Sequence, residues 1–160
     1  MSYGLDMTTD DLSGPDPETI TDHIRTTYPE TAILEAGGTW FFSLDGEKHF
    51  PNYATIVTNN DYDDGSDLDR DGIFRLNLGL SRATFERLVG DALAPGALAS
   101  GAPPPDYTAL DTLLPHPTYA AQLWISILNP SAATYRDVVI PLIAEAHDRL
   151  AAQRERHGLG

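Results

Sequence analysis

The sequence predicts an α+β fold: an antiparallel sheet of about five strands with helices packed on one face. Two observations lead there. Apolar residues recur at helical spacing near both ends of the chain, and between them lie short alternating or β-rich runs punctuated by glycine turns. The resulting order of helix, strand meander, helix, strand and helix is that of a sheet with its helices segregated to one side.

Residues 1–15 are polar, broken by Gly and Pro, and read as a flexible tail, leaving 16–157 as a single domain. Asp16 before Pro17 is a helix-start signal, and Ile20, Ile24 and Tyr28 repeat every four residues until Pro29, so the first helix is expected over about 17–28. Strands are expected at 31–36 and 39–44 around Gly37-Gly38, a pair suited to a two-residue hairpin. A third follows at 53–58. After an acidic loop, 59–72, the run Ile73 to Leu80 alternates: Phe74, Leu76, Leu78 and Leu80 share one face, and Arg75 and Asn77 the other.

Ser81 can cap a helix reaching about Val89, with Phe85, Leu88 and Val89 facing the core. The Gly- and Pro-rich stretch 91–111 reads as a long loop of the kind that forms lids or binding loops. Residues 122–128 read as the last strand, with Trp124 opposed in phase to Leu123 and Ile125. Asn129-Pro130-Ser131 then starts a helix over about 132–156. Its apolar stripe is Val138, Leu142, Ile143, Ala146 and Leu150, and Pro141 must kink it or mark a fresh start.

At 160 residues one domain with one core is expected. The formal charge of −14 comes from 17 Asp and 7 Glu against 9 Arg and a single Lys, Lys48. No basic stripe is available to displace phosphate counterions, so nucleic acid is disfavoured, and the same field repels an anionic membrane surface. The partners left are a small molecule or a protein. Cysteine is absent, which removes disulfides, thiolate nucleophiles and Cys-ligated metal centres. With no signal-peptide pattern at the N-terminus and no apolar run of membrane-spanning length, the cytoplasm is the expected location.

Three stretches carry a resemblance: Ala54-Thr55-Ile56-Val57-Thr58; Ser66-Asp67-Leu68-Asp69-Arg70 leading into Gly72-Ile73-Phe74-Arg75-Leu76-Asn77; and Leu113-Leu114-Pro115-His116-Pro117 through Trp124 to Leu128-Asn129-Pro130. Together they resemble a domain-of-unknown-function family, mostly from high-GC bacteria, over about residues 17–150. More distantly, the Phe-Arg-Leu-Asn strand followed by a helix, a Tyr/Trp segment and a last helix is similar to the MmcQ/YjbR family, which implies a CyaY-like (frataxin-like) fold. That family is often labelled DNA-binding. Its basic segment before the Trp corresponds here to Thr118-Tyr119-Ala120-Ala121-Gln122, which has no cation, so the label does not transfer.

Two constellations invite chemistry. Asp67-Leu68-Asp69-Arg70-Asp71-Gly72 matches the first six positions of an EF-hand calcium loop, with Asp61, Asp63 and Asp64 nearby. The match fails at the twelfth position, Leu78, and a strand follows where a helix is needed, so the acidic loop is expected to be a solvated surface that is at most a weak cation site. The second is a pocket. His116 sits between two prolines that fix its direction, and with Arg75, Asn77 and Trp124 it could line one ligand site. His116 as an acid/base group acting on a small anion is the enzyme alternative. No Gly-x-Ser-x-Gly elbow, Walker loop, dinucleotide loop or paired-His zinc spacing is present, so no cofactor is expected.

Overall fold

The computed structural model describes residues 14–60, 66–89 and 106–156. Expectations for residues 1–13 of the tail, 61–65 of the acidic loop and 90–105 of the long loop lie outside the described residues.

Helix α1 (Pro17–Thr27) begins where Asp16 accepts a 2.8 Å hydrogen bond from the Thr19 amide, and it buries Ile20 and Ile24 completely. Strands β1 (Ala32–Ala36) and β2 (Thr39–Ser43) follow as a hairpin. Its two turn residues, Gly37 and Gly38, have φ of +61° and +83°, the positive pair that a type I′ turn demands. Next come β3 (Asn52–Val57), β4 (Arg75–Gly79), helix α2 (Arg82–Val89), β5 (Leu114–Pro115) and β6 (Trp124–Leu128). One helical turn, Ala132–Thr134, a π segment, Tyr135–Val139, and helix α3 (Ile140–Arg156) complete the described chain.

The sheet has six strands in the order β1-β2-β3-β4-β6-β5, every pair antiparallel. The strand missing from the sequence reading is β5. It is two residues long and ends in proline, which carries no strand periodicity, yet at a sheet edge Pro115 needs no donor of its own.

Register assigns the two faces. Trp40 and Phe42, Ala54 and Ile56, Leu76 and Leu78, and Ile125 and Ile127 align across β2, β3, β4 and β6. They pack against Ile20, Ile24, Ile143, Ala146 and Leu150 of α1 and α3 in one core. A bulge at Phe42/Ser43 shifts the register of β3. Tyr53 is buried, donates to or accepts from Thr31 at 2.8 Å, and meets the His147 ring edge-on.

Several boundaries move. The last strand starts at Trp124 because Ala120–Gln122 form a 3₁₀ turn closed by Leu123 at φ +72°, which takes Leu123 out of the strand. Pro141 marks a fresh start, the second of the two alternatives: the α-helix proper begins at Ile140. A proline removes one hydrogen bond and crowds the carbonyl four residues earlier, and here the turn before it is widened to a π segment. Val139 becomes fully buried, whereas Val138 of the expected stripe is only half-buried. At the other end of the domain, Gly14 lies against Pro130: a Cβ there would lie 1.8 Å from the Pro130 carbonyl oxygen.

Candidate functional site

The second sheet face has a different chemistry. Alternation sends Thr39 and Phe41 of β2, Thr55 and Val57 of β3, Arg75 and Asn77 of β4, and Trp124 and Ser126 of β6 away from the core. Thr55, Asn77 and Ser126 align as one row across three strands. The Asn77 carboxamide ties the row together: its oxygen accepts from Arg75 Nε at 2.9 Å and Ser126 Oγ at 2.8 Å, and its nitrogen donates to Thr55 Oγ1 at 2.9 Å. Arg75 is 1% exposed and also donates to Ser66 Oγ at 3.0 Å, pinning the residue 66 turn to the sheet. Leu68 follows inward to pack on Val57 and Leu128.

Above this row lies a cavity of about 510 Å³. The four residues singled out from sequence, Arg75, Asn77, His116 and Trp124, all line it. Trp124 reaches over Gly79, where a Cβ would come within 3.0 Å of the indole, so the ring lies against bare backbone. Phe50 and Tyr119, two of the most exposed large apolar side chains among the described residues, stand at its rim. The described lining includes one guanidinium and no carboxylate, in a chain of net charge −14. Two lining residues, Thr39 and Asn52, each hold a buried side-chain oxygen with no hydrogen-bond partner.

His116 is 4% exposed, and its direction is set by more than its flanking prolines. Its Nδ1 accepts from the amides of Thr118 at 2.9 Å and Tyr119 at 3.0 Å. Two incoming N–H groups require an unprotonated Nδ1, so the neutral ring carries its proton on Nε2. Nε2 in that tautomer is a donor. Protonation at Nδ1 would cost both amide bonds, so this arrangement suits a positioning role for His116.

The described part of the acidic loop is held by its own hydrogen bonds. Asp67 adopts a left-handed backbone with φ +52°, Leu68 turns into the protein, and Asp69 accepts from the Asn60 amide at 3.1 Å. Arg70 donates to the carbonyls of Ser66, Asp67 and Thr108. Asp67, Asp69 and Asp71 therefore do not converge, and among the described residues no group of three or more His, Asp or Glu is placed to hold a metal.

Residues that the sequence reading passed over include Thr39, Phe41, Asn52, Thr55 and Ser126. For all but Asn52 the signal is alternation with Trp40, Phe42, Ala54, Ile56, Ile125 and Ile127, informative only when the strand neighbours are known; Asn52 is in phase with Ala54, and the register shift at Phe42/Ser43 breaks that phase. His147 was also passed over. It stacks on Tyr28 at 4.1 Å, bonds through Nδ1 to Asp148 at 2.9 Å and through Nε2 to Glu30, and so joins α3 to the turn after α1. The Glu30 carboxyl is held below its ordinary range by its backbone amide, assisted by the His147 contact.

No curated protein and no solved structure matches the chain. A family of unknown function, DUF6194, matches residues 15–158, and the chain belongs to that family.

Proposed function

We propose that the protein is a small-ligand-binding module of the cytoplasm, taking a neutral or anionic molecule on the open face of its sheet. One observation carries this reading: the cavity is walled by Phe41, Phe50, Pro51, Val57 and Trp124, with a few polar residues, Arg75, Asn77 and His116, set among them. Few convergent polar atoms in an apolar concavity suit a small molecule better than a flat protein face.

His116, whose Nδ1 is occupied by two backbone amides, supports a positioning role over proton transfer. The likeness to the MmcQ/YjbR family belongs to this reading as a likeness of fold, and the acidic surface argues against carrying over a DNA-binding role. A single Lys beside nine Arg supports a GC-rich bacterial source.

A melting-temperature screen against a metabolite library tests the proposal. Compounds should stabilise the wild-type chain, and the shift should shrink by at least half in Trp124→Ala and Phe50→Ala, each measured against its own ligand-free midpoint. A library that yields no stabilising compound, or shifts that persist undiminished in both variants, would overturn it.

A further inference from the structure

Glycine in a sheet has no side chain to pack and often marks a close approach by another group. Gly79, the last residue of β4, stands directly across from Trp124 of β6. Its backbone does not demand glycine, because its φ lies outside the left-handed region that Gly37, Gly38 and Gly72 occupy. The indole does. From this pair we infer that Gly79 is a specificity-determining residue of the cavity: by carrying no side chain it lets Trp124 lie flat as a platform, and the ligand is a molecule with a planar aromatic ring that stacks on the outer face of the indole. This rests on the binding reading above.

The distances fix the orientation of the ring. A Cβ at Gly79 would lie 3.0 Å from Cε2 of the indole and 3.2 Å from both Cζ2 and Nε1. Cε2 is a ring-fusion carbon set back between those two atoms, so an atom arriving at the ring edge would meet them first. The order of distances therefore puts Gly79 under the face of the ring. A Cβ stands roughly perpendicular to its sheet, so an indole lying face-on to that direction is spread along the sheet surface with its second face turned outward. Trp124 is half-buried and lines the cavity, and no described ring packs against it. Its backbone is held from both sides: the Trp124 amide donates to the Tyr119 carbonyl at 3.3 Å, and the Trp124 carbonyl accepts from the His116 amide at 3.0 Å. An aromatic ring over a cross-strand glycine also shields bare backbone, but that contribution uses one face and leaves the other for a ligand.

The groups around the platform select an aromatic ring over a sugar ring. Asn77 Oδ1 already accepts from Arg75 and Ser126, its nitrogen donates to Thr55, and His116 Nδ1 accepts from two amides. The hydroxyls of a sugar would lose water over a floor whose hydrogen bonds are largely made within the protein. A planar ring loses little there and gains from offset stacking, and Phe50 and Tyr119 at the rim extend the apolar surface it would meet.

The test compares 2-naphthamide with decahydro-2-naphthamide, which share a carbon skeleton and a carboxamide and differ in flatness and π surface. By calorimetry the wild-type chain should bind the aromatic compound about threefold to tenfold more tightly, the range expected of one aromatic stack. Trp40→Phe removes the other indole of the chain, and in that background 2-naphthamide should move the Trp124 indole N–H proton signal upfield, saturably. Trp124→Leu should bring the two affinities within about twofold of each other. Gly79→Ala should do the same, because its Cβ lifts the indole off the sheet, and Gly79→Ala added to Trp124→Leu should change neither affinity by more than about twofold. Equal binding of the two compounds to the wild type, no saturable binding of 2-naphthamide, or a preference that survives Trp124→Leu would overturn the stacking assignment. A preference that persists in Gly79→Ala would overturn the role of Gly79, and the Trp124→Leu arm decides the stack even if Gly79→Ala fails to fold. The library screen judges the pocket separately: stabilising compounds without a flat ring that depend on Trp124 and Phe50 would leave the pocket standing while this inference falls.

Discussion

At the scale of single residues, the open face keeps polar groups that stability alone would not favour. Thr39 is 1% exposed with a hydroxyl bonded to nothing, so Thr39→Val, nearly the same shape, should raise stability by about 1 kcal/mol in urea unfolding while weakening any ligand found in the screen. Asn77 is the opposite case. All its described bonds are made, and Asn77→Leu would leave Arg75 Nε and Ser126 Oγ without their acceptor, at a cost of about 2–4 kcal/mol by the same measurement. His23 offers a pH test. Burial lowers its pKa and leaves Nε2 unpaired against the edge of Tyr135, whose hydroxyl is pushed up to about 12 by the same burial. Because the folded state resists the proton that the unfolded chain accepts, stability should fall as pH drops below about 6.5, the ordinary histidine value. His23→Phe should flatten the melting-temperature profile between pH 7 and pH 5, and an unchanged slope would show that other groups set it.

Among elements, the helices are held by side chains from elsewhere as well as by their own sequence. Ser81 starts α2 as its spacing predicts, accepting from the Thr84 amide at 3.3 Å. The stronger cap comes from α3. Glu145 accepts from the Ser81 amide at 3.1 Å and from the Thr84 hydroxyl at 2.7 Å, so Glu145→Ala should destabilise the fold by about 1–2 kcal/mol, measured by thermal or urea unfolding. Asp16 is a local cap and was visible in the sequence. The Thr19 amide holds its carboxyl below the usual range, so its contribution is present above about pH 4 and lost as pH falls through the depressed folded value. Asp16→Ala should remove about 1 kcal/mol at pH 7 and little at pH 2. The boundary changes share one cause. Pro141 and Leu123 take backbone states set by their neighbours, the π segment and the 3₁₀ turn, which apolar periodicity does not encode.

For the whole molecule, charge and sheet geometry decide different things. A net charge of −14 destabilises a compact state through self-repulsion, so raising salt from about 0.02 M to 0.5 M should raise the melting temperature, since the Debye length shrinks severalfold over that range. The same charge predicts no retardation of duplex DNA at low salt. Among the described residues, no helix is long and apolar enough to cross a membrane. The sequence by itself determined the α+β class, the first cap, the hairpin glycines, and the separation of Arg75 and Asn77 from the apolar side of their strand. Each is a local matter of periodicity, turn conformation or capping, written within a few consecutive residues. Only the tertiary structure decided that Thr39, Asn52, Asn77, His116 and Trp124 line one cavity, that β5 exists, and that two backbone amides meet His116 Nδ1. Those depend on strand order, register and the approach of backbone amides, and the residues they join are distant along the chain.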